Sequence, residues 1–134
     1  MNNHYVGNIK QETLENTDYR RVIFTATNLQ VVLMSLKPGE EIGSEVHDNV
    51  DQFFEILAGS GMSIIDTVEY QIKNDTVLVI PAGLSHNIIN TGTELLKLYS
   101  IYAPPEHEPG KVEPNKITEK RSLPNFKNFI SQNS

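Results

Sequence analysis

At 134 residues the chain can bury one hydrophobic core but not two of ordinary size, so a single domain is expected. Seventeen acidic residues against eleven basic ones give a formal charge of -6, and no Lys/Arg cluster makes a phosphate-binding face, which argues against nucleic acid and anionic membranes as partners. Without cysteine there is neither a disulfide nor thiolate-bound zinc, and no apolar run reaches the length of a membrane span or forms the core of a leader peptide, so a cytoplasmic protein is expected.

Residues 1–19 read as an extension in which QETLENTDYRR supports a turn or two of helix. From residue 20 the character is that of strands: RVIFTAT, QVVLMSL, QFFEIL, MSIIDTV, EYQIK, TVLVI, HNIIN and LLKLYSIYA are short and rich in β-branched or aromatic residues. The turn formers KPGE, HDNVD, AGSG, KND, PAG and NTGTE separate them. No helix is long enough to connect parallel neighbours, so residues 20–103 are expected to form an all-β, antiparallel sandwich or barrel. After Ala103, PPEHEPGKVEP brings four prolines and no periodicity. Residues 104–134 are therefore expected to wrap the outside or stay partly unstructured, with LPNFKNFI able to dock and everything after about Ser122 dispensable for the barrel.

Side chains alternate along a strand, so Glu45 and His47 are expected on one face, with Gln52 alongside them from the strand beyond the DNVD turn. His86 follows the tight PAG turn and shares a face with Ile88 and Asn90. Two imidazoles, a carboxylate and an amide oxygen suit one divalent metal, with Zn, Mn, Fe, Ni and Cu all compatible. Taken singly, each of these residues has a bland reading, since a strand histidine is usually structural and alternating polar residues usually face solvent. The joint pattern is what points to a metal site.

That pattern resembles the cupin family. Gly39, Glu45, His47, Gln52 and Gly59 fall on the first cupin motif, and Asp75, Pro81, Gly83, His86 and Asn90 on the second, with a short GSGMSIIDTVEYQIKND between them. EIGSEVHDNVDQFF, VIPAGLSHNIINTG and LYSIYAPPEH look like segments of small single-domain bacterial cupins. The resemblance covers residues 30 to 103 and implies a cupin-type β-barrel, also described as a double-stranded β-helix or jelly roll, with a metal at its mouth. Three positions depart from the motifs: Glu45 stands for the first histidine, Gln52 for the glutamate and Asp75 for the opening glycine. Glu45 remains a competent ligand, and the pair Glu45 and Gln52 keeps the net ligand charge of a three-histidine, one-glutamate set.

Parity with the ligands turns Phe54, Ile56, Ile88 and Asn90 inward, and a solvent-seeking Lys97 turns Leu96, Leu98, Ser100 and Tyr102 inward. Tyr102 is a candidate proton donor or substrate anchor, and His107 a candidate base if the proline-rich segment folds over the mouth; packed core and open surface are their plainer readings. The resemblance implies a metal-dependent isomerase, lyase or dioxygenase acting on a sugar-like molecule or oxygenated small acid. The alternatives are a non-catalytic binder or sensor of a small molecule, or a barrel merely stapled by its metal. Apolar residues on both strand faces (VVLMSL, TVLVI) are consistent with a homodimer.

Overall fold

In the computed structural model, which describes residues 3–117, two antiparallel sheets face each other across one core. A short helix, α1 (Ile9–Glu15), precedes nine strands: β1 (Arg20–Thr25), β2 (Gln30–Leu36), β3 (Asp51–Ala58), β4 (Ser60–Ile65), β5 (Val68–Lys73), β6 (Val77–Ile80), β7 (His86–Ile89), β8 (Leu96–Ala103) and β9 (Val112–Glu113). The larger sheet has the order β6-β3-β8-β2-β1-β9 and the smaller β5-β4-β7. This is the expected all-β, antiparallel jelly roll.

The strands form where the pleat can bury one face. Along β8 every second residue is buried, so Leu96, Leu98, Ser100 and Tyr102 point inward as parity required. Phe54 and Ile56 of β3, Val32 and Met34 of β2, and Ile88 of β7 meet them in the core. Burying each such aliphatic or aromatic side chain contributes about 1.5–3 kcal/mol relative to exposure. Gly59, with φ 86°, turns β3 into β4 where a Cβ would stand 2.5 Å from the carbonyl oxygen of Leu95, so a side chain is excluded by both conformation and space.

Two details differ from the sequence reading, and a third follows one of its alternatives. The segment MSIIDTV is not one strand: β4 stops at Ile65, and Asp66 takes φ 57° in a tight turn that hands Val68 to β5. Lys97 does point out of the barrel, but α1 covers it, and its Nζ donates to the carbonyl oxygens of Leu14 (2.7 Å) and Asn16 (2.8 Å), the unpaired acceptors at the helix C-terminus. The proline-rich stretch folds back along the large sheet, where β9 pairs with β1. The expectations for LPNFKNFI and for residues after Ser122 fall outside the described residues. Among the described residues, no helix is long and apolar enough to cross a membrane.

Candidate metal centre

Glu45 and His47 lie on a segment that runs beside β7 through only two isolated bridges, Glu41 to Ile89 and Glu45 to His86. It is not the regular strand expected from the sequence, because Gly43 takes φ 105° and breaks the ladder. The Asn87 side chain fills the gap, accepting from the Gly43 N–H at 2.8 Å and donating to Glu41 Oε1 at 2.8 Å. Glu45 and His86 nevertheless exchange both backbone hydrogen bonds, at 2.9 and 3.0 Å, which sets them directly opposite each other. The PAG turn is tied to the same segment, its Gly83 N–H donating to the His47 carbonyl at 2.7 Å. Gln52 arrives from β3, buried beside Tyr102 of β8.

These four side chains converge. Glu45 Oε1 lies 3.2 Å from His47 Nε2 and 3.9 Å from His86 Nε2, and Gln52 Oε1 lies 3.1 Å from His86 Nε2. His86 and Gln52 are each turned by a second partner. The Leu84 carbonyl, which can only accept, lies 3.1 Å from His86 Nδ1, so the neutral ring carries its proton there and aims the Nε2 lone pair inward. The Gln52 amide donates to Ser100 Oγ at 2.9 Å, leaving its oxygen to face the histidine. The His86 Nε2 lone pair thus faces the oxygens of Gln52 and Glu45. Ligands about 2.1 Å from one ion stand roughly 3.0–3.4 Å apart in octahedral or tetrahedral sets; the 3.1 and 3.2 Å separations fall in that range and the 3.9 Å separation of Glu45 and His86 exceeds it. Glu45, His47 and His86 form a group that could hold a metal ion, and the Gln52 oxygen adjoins it.

His47 Nδ1 faces Glu106 Oε2 at 3.7 Å, a carboxylate the sequence reading did not single out. Glu106 belongs to the proline-rich strap of residues 104–113, which buried Gln30 of β2 pins in place. Gln30 Oε1 accepts from the backbone N–H of Glu106 (3.1 Å) and His107 (2.9 Å), while its Nε2 donates to the His107 carbonyl (2.7 Å) and to Thr25 Oγ1 (2.8 Å). A carboxylate behind a metal-facing imidazole fixes the tautomer and ring orientation.

The strap also brings His107 edge-on to Tyr102, with ring centroids 5.0 Å apart, and His47 approaches the same tyrosine at 6.0 Å. Burial raises the Tyr102 phenol above its ordinary range; Glu45 adds to the rise, and the Arg20 guanidinium opposes it. Burial also pushes His107 down to about 4, helped by the positive charges of Arg20 and Lys111. Arg20 is mostly buried and paired with Glu113 of the strap. Sequence reasoning passed over Arg20, Gln30, Glu106 and Glu113. Parity offered a signal for two of them, since Arg20 shares the inward side of Val22 and Gln30 that of Val32 and Met34. Glu106 and Glu113 sit in an aperiodic segment with no such signal.

Above Glu45 opens a cavity of about 610 Å³ between β1, β9 and residues 42–45. Its charged lining is Arg20, Glu45, Glu113 and Lys116, with Tyr19 and Ile42 among the apolar walls.

Comparison with known proteins gives a consistent picture. The family profile described as "Cupin domain" matches residues 32–102. The uncharacterized protein YrkC of Bacillus subtilis (strain 168) is 46% identical over 118 residues, which is 84% of this chain and 63% of YrkC, so the chain spans a little under two thirds of that relative. An uncharacterized protein of Acanthamoeba polyphaga mimivirus is 44% identical over 84% of this chain and 73% of its own length. The crystal structure of BH2720 from Bacillus halodurans superposes with a TM-score of 0.81 at 42% identity, covering 82% of this chain and 88% of that one.

Proposed function

The chain belongs to the cupin family, and on that premise we propose that Glu45, His47, Gln52 and His86 bind one divalent metal at the floor of a small-molecule site. The observation that carries the reading is the convergence of four ligand-type side chains, of which Gln52 and His86 are turned inward by hydrogen-bond partners of their own. Two imidazoles with oxygen ligands are compatible with Zn, Mn, Fe, Ni or Cu. A bound metal would supply Lewis-acid polarisation of a substrate carbonyl, enol or hydroxyl oxygen. The chain's own residues would do the rest: Arg20 and Lys116 balance Glu45 and Glu113 in the cavity lining, Tyr19 and Ile42 give it apolar walls, and Tyr102 keeps its proton.

The reaction class that fits is isomerase, lyase or dioxygenase chemistry on a sugar-like molecule or an oxygenated small acid. A specific observation favours the second reading, non-catalytic binding or sensing: Tyr102 is shifted up and His107 down, so neither sits near neutrality as a proton-transfer group would. A homodimer is part of the proposal. Val79, Phe53, Ile101 and Val31 align across four strands on the outer face of the large sheet, with Val79 67% exposed, and a second copy would cover them.

Metal content tests the central reading. Protein purified from metal-supplemented medium should carry close to one ion per chain, and the double substitution His47→Ala/His86→Ala close to none, with loss of metal-linked thermal stabilisation. An unmodified protein that holds no ion and is not stabilised by any of the five metals overturns it. Thermal shifts of the metal-loaded protein with sugars, keto acids and phenolics then identify the ligand class, and turnover of the stabilising compound separates enzyme from binder.

A further inference from the structure

The smaller sheet ends on a strand edge that nothing covers among the described residues. Its order is β5-β4-β7, and β7 is flanked by residues 41–45 through their isolated bridges, which leaves the outer side of β5 open. At six residues β5 is longer than β6 and β9, the end strands of the larger sheet. It pairs with β4 without a bulge and contains no proline, two of the devices that usually blunt an edge.

The hairpin decides which backbone groups of β5 are free. The Asp66 N–H donates to the Ser85 carbonyl at 2.7 Å, so the even-numbered residues of β4 bond toward β7 and the odd-numbered ones toward β5. Val68, Tyr70 and Ile72, opposite Ile65, Ser63 and Gly61, therefore commit their N–H and C=O groups to β4. Glu69, Gln71 and Lys73 point theirs outward. Lys73 is already satisfied, its N–H donating to Thr76 Oγ1 at 3.0 Å and its carbonyl accepting from the Thr76 N–H at 2.9 Å. The N–H and C=O groups of Glu69 and Gln71 remain open. On the inner face, Val68 and Tyr70 stay 50% and 48% exposed, although Ile65 and Ile72 beside them pack against the core.

We propose that β5 of a second copy adds to this edge in the antiparallel sense, about a two-fold axis at Tyr70. Glu69 then faces Gln71 of the second copy, and every open group of both strands finds a partner. Centring the axis on Glu69 or Gln71 would instead set open groups against Thr67 of the turn or against Lys73, which is already bonded. In the Tyr70 register the two tyrosines meet, Val68 meets Ile72 of the second copy, and Glu69 lies diagonal to its Lys73, an attractive pair between chains whose formal charge is -6. His86, Ile65 and Val68 form one row across the inner face, so Ile72 of the second copy extends the wall that begins at His86. This contact is separate from the outer face that carries Val79, and it does not depend on a bound metal.

The chain has no cysteine, so single cysteines report the register directly. Residues opposite each other at a non-hydrogen-bonded position stand about 4.5 Å apart at Cα, inside the roughly 4.4–6.8 Å that a disulfide spans. Under a mild oxidant Tyr70→Cys should form a covalent dimer at least about tenfold faster than Val68→Cys, whose counterpart lies about 13 Å away along the strand although the two sites are nearly equally exposed. Gln71→Pro removes an N–H that β4 does not use, so it should keep the circular dichroism of the unmodified protein and halve the mass of the assembly in sedimentation. Glu69→Lys should slow the Tyr70→Cys cross-link and Glu69→Lys with Lys73→Glu should restore it, a readout that stands if the proline variant fails to fold. A monomeric unmodified protein at the same concentration, equal cross-linking of the two cysteines, or a cross-link indifferent to the charge reversal overturns the proposal. So does a folded Gln71→Pro of unchanged mass, which would leave the large-sheet face as the contact between copies.

Discussion

Replacing Gln30 by Met tests whether one buried amide holds the strap, and through it the metal-facing histidine. Met matches Gln closely in length, so little of the loss should come from a cavity. The substitution leaves the N–H of Glu106, the N–H of His107 and the His107 carbonyl without their present partner. At about 1 kcal/mol for each backbone group left unpaired, the loss is about 3 kcal/mol. Release of the strap would let water satisfy those groups and would cap the loss, but it would uncover the Tyr102 ring, which is 1% exposed. A fall of about 2–3 kcal/mol in urea unfolding of the metal-free protein is expected, or roughly 8–12 °C in the melting temperature for a chain of this size. Amide exchange should rise through residues 104–113 while β8 stays protected. Because Glu106 then leaves His47, zinc affinity should fall by about tenfold, as for loss of a carboxylate behind a metal-bound imidazole. A loss below about 1 kcal/mol with unchanged exchange in the strap would refute the clamp.

Ser100→Ala removes the hydroxyl that accepts from Gln52, and zinc affinity measured by competition with a chelator should drop several-fold with the fold intact; unchanged affinity would mean that the amide orients without it. Gly59→Ala should destabilise by about 2–4 kcal/mol, combining a left-handed backbone with contact against the Leu95 carbonyl, and a urea midpoint close to that of the unmodified protein would contradict the packing described. His107 is held near 4 against an ordinary 6.5, so between these values the unfolded chain binds more protons and stability rises with pH. Its contribution is complete above about 6.5 and is lost as pH falls toward 4. Metal-free His107→Phe should therefore lose less stability than the unmodified protein between pH 7 and 5, and parallel losses in urea titrations would refute the assignment.

Much of the architecture is written locally. A pleated strand sends alternate side chains to opposite faces, so LKLYSIYA announced its buried set, Leu96, Leu98, Ser100 and Tyr102, by parity alone. The DNVD and PAG turns marked the places where the chain delivers Gln52 and His86, and the two spaced motifs identified the fold. The hairpin at Asp66 escaped because MSIIDTV reads as one β-prone run, with only an aspartate and a threonine to form its turn. Asp75 adopts φ 74°, so the position where the motif has glycine keeps its left-handed backbone, which aspartate tolerates better than most residues.

What the tertiary structure alone decided is company. Arg20, Gln30, Glu106 and Glu113 come from strands and a strap far apart in the chain, and their partners follow from which strands pair and in which register. Gln30 is a clamp because the strap passes over β2, and Glu106 reaches His47 because that clamp fixes the strap's height above the barrel. Periodicity tells a residue which way to point, since that depends only on its own backbone. It does not tell the residue what it will meet, because that contact is closed by chain segments whose separation carries no repeating signal.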